Sequence, residues 1–490
     1  MRNLLKISAA FLLLLTGGCT KDYLNPVPKT SLSDLSVFDN KARIVAQVNG
    51  MYAALKSGNF LGGRYEAIGD LRGDNWVPES NNVVTLFSVW QQNVVAGSSE
   101  VQDTWGSAYA AINVINVFMD GLKSNWESGK IKTMISQAEY DEFTSEALTL
   151  RALCYFNLIR LYAKPYIMNA GANPGLPLRL KAEKAAGGND LALSTVDEVY
   201  TQILADLNTA EPLAVSTYDD DNLNTTRIHK NTIVALKVRV LLTKGDWPSV
   251  VTESSKLVPA STPYIAPSGV ANTLSSDWNA IFTANTTKES IFSLPNTPTN
   301  NGGVQSAITW YFSSESGESY YLDDKSPVYT AMDPTDIRRS SMTKVAGGTD
   351  PDKYFISKYT DMTGLSDWCP ILRYAEVLLS RSEALVRSGG SVTQEAVDLL
   401  NAVRTRAFPG GAYTLASFAT VQDFYNACLQ ERDFEFLGEG MRSFDLMRLG
   451  LDIPGKDGLI QGKVDIIPSS STVYYWLIPD SETSMNSLAH

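Results

Sequence analysis

The stretch HKNTIVALKVRVLLTKGDW (229–247) contains a helix, a tight turn and the start of a second helix. Residues 231–244 are predicted to be helical, and Gly245 stands where a helix favours a glycine after its last turn. Asp246 can cap a following helix that carries Pro248 in its first turn. This order predicts a helical hairpin.

The same arrangement returns later in the chain. Residues 371–388 are predicted to form a helix that ends at Gly389 and Gly390, and Ser391 with Gln394 is predicted as a capping box for a helix to Ala407. Apolar periodicity and proline positions predict further helices at 43–57, 105–122, 137–164, 196–210 and 420–437. Repeated hairpins of this size, without a clean 34-residue repeat, predict a mostly α fold built as an irregular tetratricopeptide-like array.

Two regions interrupt this helical pattern. Residues 58–102 and 259–369 are rich in Ser, Thr, Asn, Gly and Pro, and they contain many aromatic residues. A structureless loop as long as the second region is improbable inside a compact domain unless it is functional or organised into short elements. We therefore expect a loop-rich, aromatic-rich subdomain packed on a helical scaffold at 41–57, 105–258 and 370–450.

The N-terminus predicts export. Arg2 and Lys6 precede an apolar run at 7–15, which is too short to span a bilayer and is typical of a secretory signal. Cys19 follows two glycines and resembles the lipidated cysteine of a bacterial lipoprotein, although Thr16 stands where an aliphatic residue is usual. We expect a signal peptide at 1–18, a lipidated Cys19 with a tether at 19–40, and one folded body at 41–490.

Composition excludes several function classes. The formal net charge of −12 becomes −14 once Arg2 and Lys6 leave with the signal, which disfavours nucleic acid and anionic lipid as partners. The chain has only two histidines, and its four cysteines have no metal-like spacing, so neither a metal nor another cofactor is predicted. Cys154 and Cys428 are interpreted as core residues because each lies within an apolar helical stripe.

Several blocks of the chain resemble the SusD/RagB family. They are EALTLRALCYFNLIRLYAKPY (146–166), the opening hairpin (229–247), LRYAEVLLSRSEALVRSGG (372–390), LNAVRTRA (400–407), ERDFEFLGEGMRSFDLMRLG (431–450) and YYWLIPDSE (474–482). The resemblance implies a surface lipoprotein of Bacteroidetes, located in the outer membrane, with a tetratricopeptide-like scaffold and a variable loop-rich face. It also implies a SusC-like TonB-dependent outer-membrane barrel as partner, on which the lipoprotein sits as a lid.

The charged residues of block 431–450 are interpreted as structural. They are Glu431, Arg432, Glu435, Arg442, Asp445 and Arg448, and their helical spacing suits charge pairs that join helix ends. Hydrolysis of a glycan would require two carboxylates facing each other across a cleft. Asp70 with Asp74, or Glu431 with Glu435, could supply such a pair, but acids at this spacing are more often solvated or salt-bridged. We therefore predict no catalytic residue.

The loop-rich regions supply the candidate binding residues. A sugar presents an apolar C–H face and a belt of hydroxyls, so its receptor needs aromatic platforms beside amide, carboxylate and guanidinium groups. The candidates are Trp76, Trp90, Trp278, Trp310, Tyr311 and Tyr321 as platforms, with Arg72, Asp74 and Asn75 as hydrogen-bonding partners.

Three functions remain open from the sequence. The leading prediction is a protein without catalytic activity that captures an oligosaccharide and delivers it to the partner barrel. The second keeps the architecture but binds peptides, as the RagB branch suggests, and would rely on backbone hydrogen bonding in an enclosed cavity. The third is a surface glycoside hydrolase.

Overall fold

The computed structural model describes residues 37–185, 187–348, 350–458 and 462–489. Within these residues helices dominate. In chain order the α-helices are α1 (Lys41–Leu55), α2 (Arg64–Leu71), α3 (Phe87–Trp90), α4 (Ser99–Glu127), α5 (Gln137–Tyr162), α6 (Val196–Ala210), α7 (Leu223–Thr226), α8 (Lys230–Lys244), α9 (Trp247–Ser254), α10 (Ala280–Thr283), α11 (Ile308–Phe312), α12 (Pro327–Ala331), α13 (Ile337–Ser340), α14 (Tyr374–Gly389), α15 (Gln394–Ala407), α16 (Val421–Glu435), α17 (Arg442–Arg448) and α18 (Asp480–Met485). Short 3-10 helices cover Val83–Thr85, Met168–Gly171, Glu211–Leu213, Pro409–Gly411 and Leu415–Ser417.

The strands are short and lie mostly in the loop-rich regions. They are β1 (Val77–Pro78), β2 (Ser290–Leu294), β3 (Tyr320–Tyr321), β4 (Thr343–Val345), β5 (Lys353–Phe355), β6 (Cys369–Arg373), β7 (Lys456–Asp457) and β8 (Lys463–Val464). Strand β1 pairs with β3, β2 with β6, β4 with β5 and β7 with β8, all antiparallel. Pairing of β2 with β6 brings together the two ends of the segment between these strands. Strand β6 runs directly into α14, so this pairing also attaches the segment to the helical scaffold.

The predicted helical hairpins are present. Helix α8 ends at Gly245, whose φ of 82° is left-handed, and the Asp246 side chain accepts a hydrogen bond from the Ser249 backbone N–H at the start of α9. Helix α14 likewise ends at Gly390, with φ of 72°, before α15 begins. The mostly α fold class is therefore confirmed.

Two local predictions are wrong at the second hairpin. Residues 371–373 belong to strand β6 instead of the helix, because this segment pairs with β2. Ser391 does not cap α15, because the Thr393 side chain accepts the hydrogen bond from the Ala396 backbone N–H, and Gln394 is therefore the first helical residue.

The hairpins stack on one another around a continuous core. Helix α5 packs between α4 and α6, while α9 packs on α8 and α14, and α14 packs on α15. Cys154 and Cys428 are buried in this core, which confirms their interpretation as core residues. Apolar residues of the loop-rich regions, including Trp76 and Phe312, belong to the same core, so both regions are firmly packed on the scaffold.

Buried ion pairs connect strand β6 and the helices α13, α16 and α17. Arg373 contacts Glu435 at 2.8 Å and Glu439 at 2.8 Å, and Arg338 contacts Glu431 at 2.6 Å. Surrounding arginines hold the pKa of the Glu435 carboxyl well below its usual range despite its burial. Arg432 and Arg448 both pair with Asp445 at 2.8 Å. The structural interpretation of the charged block is thus confirmed.

The membrane-related predictions concern the N-terminus. The predicted signal peptide at 1–18, Cys19 and most of the tether at 19–40 lie outside the described residues. None of the helices in the described part of the chain combines the length and the apolarity that crossing a bilayer requires.

Candidate ligand-binding face

Eight of the nine predicted binding residues are buried. Their side chains are between 0% and 5% exposed, and they are Arg72, Asp74, Asn75, Trp76, Trp90, Trp278, Tyr311 and Tyr321. A ring enclosed on both faces cannot stack on a sugar, so the exposed platform that the prediction required does not exist at these positions. The exception is Trp310, which is partly exposed.

Five of these buried residues come together and join the loop-rich region at 58–102 to the C-terminal segment. Arg72 donates to the Tyr474 carbonyl at 2.7 Å, and Asn75 donates to Asp433 at 2.7 Å. Asp74 forms a salt bridge with Arg442 at 2.6 Å, and the indole N–H of Trp90 donates to the Trp76 carbonyl at 2.7 Å. These are structural contacts, because each of these bonds joins buried groups of distant segments, although Arg72 Nε, Asn75 Oδ1 and Trp76 Nε1 are buried without a hydrogen-bond partner among the described residues.

The three other buried candidates lie in different places. Trp278 packs on Phe282 in a small separate cluster, with ring centroids 5.2 Å apart. Tyr321 pairs with Val77 across the β1–β3 ladder, and the Tyr311 hydroxyl donates to the Gln305 carbonyl at 2.7 Å. The structure therefore does not gather the nine candidates into one site.

Trp310 occupies the outward position of helix α11. The other four residues of this helix are buried, and its Phe312 ring packs on Trp76 with centroids 4.5 Å apart. Thr309 donates to Asp367 at 2.6 Å and so fixes the helix from another side. Because its neighbours are held inward, the Trp310 ring is left partly exposed, and it is not part of the described hydrophobic core. Its indole N–H is buried and has no hydrogen-bond partner among the residues that the structure describes.

Hydrogen bonds connect Gln305, in the turn before this helix, to polar side chains of other segments. Glu318 accepts hydrogen bonds of 3.0 Å from the side-chain amides of both Gln305 and Asn82. Arg64 donates to the Val84 carbonyl at 3.0 Å and to Asn59 at 3.2 Å. We call Arg64, Asn82, Gln305, Trp310 and Glu318 the Trp310 face. It combines an aromatic ring with amide, carboxylate and guanidinium groups that are only partly buried.

The turn before α11 is conformationally strained. Gln305 has a φ of 62°, which a residue with a side chain rarely adopts. Its carbonyl accepts the Tyr311 hydroxyl at 2.7 Å and lies 3.4 Å from Nε of Arg64, so neighbouring groups hold the turn in place. Such strain concentrates at binding and switch sites, which supports this turn as part of a functional face.

Four residues of the Trp310 face were missed from the sequence. Asn82 and Glu318 are separated by 236 residues, and Arg64 and Gln305 by 241. No local spacing links such pairs. The sequence offers only a weak signal for these four residues, namely that polar residues flank the aromatic segments of both loop-rich regions.

The carboxylate pairs considered for hydrolysis are not placed across a cleft. Asp74 is bound to Arg442, and Glu431 and Glu435 are enclosed by arginines. Burial raises the pKa of Asp70 to about 7, but this carboxyl lies inside the protein, where it faces the backbone of Arg442. Among the described residues, no group of three or more His, Cys, Asp and Glu side chains is placed to hold a metal.

Comparison with known proteins agrees with this fold. A family model described as "SusD family" matches residues 278–487, and another described as "Starch-binding associating with outer membrane" matches residues 22–242. A SusD superfamily protein from Bacteroides fragilis is 30% identical, with a TM-score of 0.80, over 93% of this chain and 100% of that chain. This chain belongs to the SusD/RagB family.

Two further relatives of this SusD/RagB protein are informative. SusD-like protein P2 of Formosa agariphila is 27% identical over 93% of this chain and 92% of its own length. A solved structure described as a laminarin binding SusD-like protein has a TM-score of 0.70 at 19% identity, over 91% of this chain and 98% of that chain. At that identity the second likeness concerns the fold alone.

Proposed function

We propose that this SusD/RagB protein is a lipid-anchored, cell-surface protein of the outer membrane that captures oligosaccharides at the Trp310 face and delivers them to a partner TonB-dependent transporter. The carrying observation is the partly exposed indole of Trp310 on helix α11, which follows the turn at Gln305, together with the hydrogen bonds that join Gln305 to Asn82 through Glu318. A sugar can stack its C–H face on the ring, while its hydroxyls exchange hydrogen bonds with the amides and the carboxylate.

The relatives support the same ligand class. A protein of this fold is described as laminarin binding, and one of the matching family models is described as starch-binding and associated with the outer membrane. Of the carboxylates considered for hydrolysis, Asp74, Glu431 and Glu435 are bound to arginines and Asp70 is buried, which favours capture over cleavage.

Calorimetry tests the binding site. The chain from residue 20 onward contains every residue that the structure describes and is titrated with laminarin, starch and other neutral glucans. We expect Trp310→Ala to weaken binding by about 5- to 150-fold, since stacking on one aromatic ring is worth about 1–3 kcal/mol for a flat ligand. Trp247→Ala is the matched control, because Trp247 is also partly exposed but lies on the helical scaffold.

The outcomes separate the possible functions. Equal affinities in Trp310→Ala and the wild type would reject the Trp310 face as the binding site. Release of reducing ends during the titration would instead support a glycoside hydrolase.

Delivery is tested in cells by Cys19→Ala, which removes the predicted lipidation site. We expect oligosaccharide uptake to fall, and unchanged uptake would reject a role for the anchor.

Peptide binding is the second candidate, and one observation favours it. A cleft of about 620 Å³ lies between α1, the start of α5, α7 and residues 294–300. Its walls include Phe143, Leu223 and Leu294, with Asn49 and Asn300 able to bind a peptide backbone, and it contains no tryptophan. Binding of mixed short peptides that is lost in Ala53→Trp, which fills this cleft, would favour this function over glycan capture.

A further inference from the structure

A second cleft lies on another side of the helical scaffold. It has a volume of about 410 Å³ and is enclosed by α4, by the segment that carries Arg179 and Glu183, and by α18. This volume falls within the usual range of small-ligand sites, roughly 300–1,000 Å³. None of the predicted binding residues lines it, and neither does any residue of the Trp310 face.

The floor of this cleft is an open stretch of α4. Gly106 and Ala110 are exposed and flank Tyr109, whose ring is partly buried. A Cβ added at Gly106 would meet no atom within 4 Å, so the space in front of the helix is free. Glycine in a helix interior costs roughly 0.5–1 kcal/mol relative to alanine, and packing does not require it at this position.

Aromatic rings form one side of the cleft. Trp105 and Tyr109 lie with their ring centroids 4.7 Å apart, and the Arg179 guanidinium lies 5.9 Å from the Tyr109 centroid. The Tyr109 hydroxyl donates to the Pro177 carbonyl at 2.9 Å, which fixes the ring. The two ring planes are tilted by 42° and Trp105 is 3% exposed, so the partly exposed ring of Tyr109 is the one that can receive the C–H face of a sugar.

Planar polar groups form the other side and are held in place by one another. Arg179 contacts Glu482 at 2.8 Å and Glu183 at 2.5 Å. Glu482 also accepts the indole N–H of Trp105 at 3.2 Å, and Asn113 exchanges hydrogen bonds with the backbone of Glu183. These side chains are therefore oriented before a ligand arrives, which lowers the entropic cost of binding. Carboxylate and amide oxygens retain lone pairs for further donors.

The charges restrict the ligand class. Glu183, Asp190 and Glu482 carry three negative charges against the single positive charge of Arg179, so the cleft disfavours phosphate, sulfate and uronic acid groups. Among the residues that the structure describes there, Ile112 and Met485 are the only long aliphatic side chains at the cleft.

We propose that this cleft is a second saccharide-binding site, selective for short neutral oligosaccharides; the ligand class rests on the proposed glycan-binding function. Two sites on one chain would strengthen the capture of any glycan long enough to reach both.

The experiment uses a reporter inside the cleft. Met485 lines the cleft and is 85% exposed, so its ε-methyl group reports directly on a bound ligand. The chain from residue 20 onward is labelled with 13C at its methionine methyl groups, and Met485→Leu assigns the signal. Maltotriose, cellotriose and laminaritriose are titrated separately. We expect at least one of these neutral trisaccharides to shift the Met485 methyl resonance in a saturable manner.

Gly106→Phe is the decisive variant. The new ring projects into open space in the cleft, so the fold is expected to tolerate it, and the affinity reported by Met485 should fall at least about tenfold. Gly50→Phe is the matched control: Gly50 also lies in a long helix, a Cβ there meets no atom within 4 Å, and Gly50 does not line the cleft. The control should bind like the wild type.

The outcomes distinguish this inference from the proposed function. A Met485 shift that survives in Trp310→Ala but disappears in Gly106→Phe supports an independent second site. Calorimetric binding that depends on Trp310, without any Met485 shift for the three trisaccharides, overturns the second site and leaves the proposed function intact. A Met485 shift unchanged by Gly106→Phe also overturns it.

Discussion

Arg442 holds the carboxylate of Asp74 through two hydrogen bonds of 2.6 and 2.9 Å, across 368 residues of sequence. Asp74 is 5% exposed, and Arg442 lies partly buried at the start of α17, so this pair ties the first loop-rich region to the last part of the scaffold. The Trp310 face is built on this junction, because Trp76, two residues after Asp74, supports helix α11 through Phe312.

Removal of Asp74 is expected to destabilise the fold. Asp74→Ala leaves the partly buried Arg442 guanidinium with its 3.3 Å contact to Asp433 as the one remaining ion pair among the described residues, so we expect a loss of up to about 3 kcal/mol in the free energy of unfolding. Urea denaturation measures this loss. In the exposed pair of Lys123 and Glu127, with side chains 69% and 66% exposed, Glu127→Ala should cost no more than about 0.5 kcal/mol. Equal losses in the two variants would contradict a structural role for Asp74.

Trp76 and Trp310 should differ in how much they contribute to stability. Trp76 is 1% exposed, so Trp76→Ala should lower the free energy of unfolding by about 3–5 kcal/mol, as expected for a large ring removed from a core. Trp310→Ala should cost much less stability because its ring is partly exposed. Parallel urea denaturation and calorimetry check both variants. A larger loss of stability in Trp310→Ala than in Trp76→Ala would show that Trp310 is the packing residue.

Alanine substitutions of two neighbouring glycines at the end of α14 should change the stability of the protein in opposite directions. Gly390→Ala forces an alanine into a φ of 72° and should destabilise the protein by about 1–2 kcal/mol. Gly389 has an ordinary helical φ and open space around its Cβ position, so Gly389→Ala should stabilise by about 0.5 kcal/mol. Thermal melting of the two variants gives the signs directly. Destabilisation by both would mean that contacts other than backbone conformation decide this helix end.

Glu66 should make stability depend on pH. Burial raises the pKa of its carboxyl from 4.5 to about 7, so between these values the folded state binds a proton that the unfolded state has released. The folded state is therefore favoured at pH 5 and loses this contribution as the pH rises through 7. This contribution to the free energy of unfolding is about 3 kcal/mol, because each pH unit between the two pKa values is worth about 1.4 kcal/mol.

The variant Glu66→Gln tests this contribution. Glutamine keeps the shape of the side chain but does not titrate, so urea denaturation at pH 5 and pH 8 should show a smaller difference in the variant than in the wild type. Glu127→Gln, at an exposed position, is the control and should leave the pH dependence unchanged. Identical pH dependence in Glu66→Gln and the wild type would mean that Glu66 is ionised at both pH values.

The Trp310 face illustrates why its candidate binding residues were hard to predict. Trp76, Trp90 and Trp310 occur in loop-rich segments of similar composition, and a tryptophan in such a segment can either pack the loop down or face solvent. The choice depends on the packing of α11, where four of five side chains turn inward and leave Trp310 outside. Asn82 and Glu318 meet only because distant segments fold together.

The sequence by itself determined the helical scaffold, because apolar periodicity, Gly245 and Gly390 after their helices, and Asp246 at a cap are signals contained within a few residues. It also determined the family, because the matching blocks recur in order along the chain. Only the tertiary structure decided which aromatic rings are exposed, which carboxylates are bound by arginines, and where open clefts remain. Burial and pairing at these positions depend on contacts between segments hundreds of residues apart, and no local pattern encodes them.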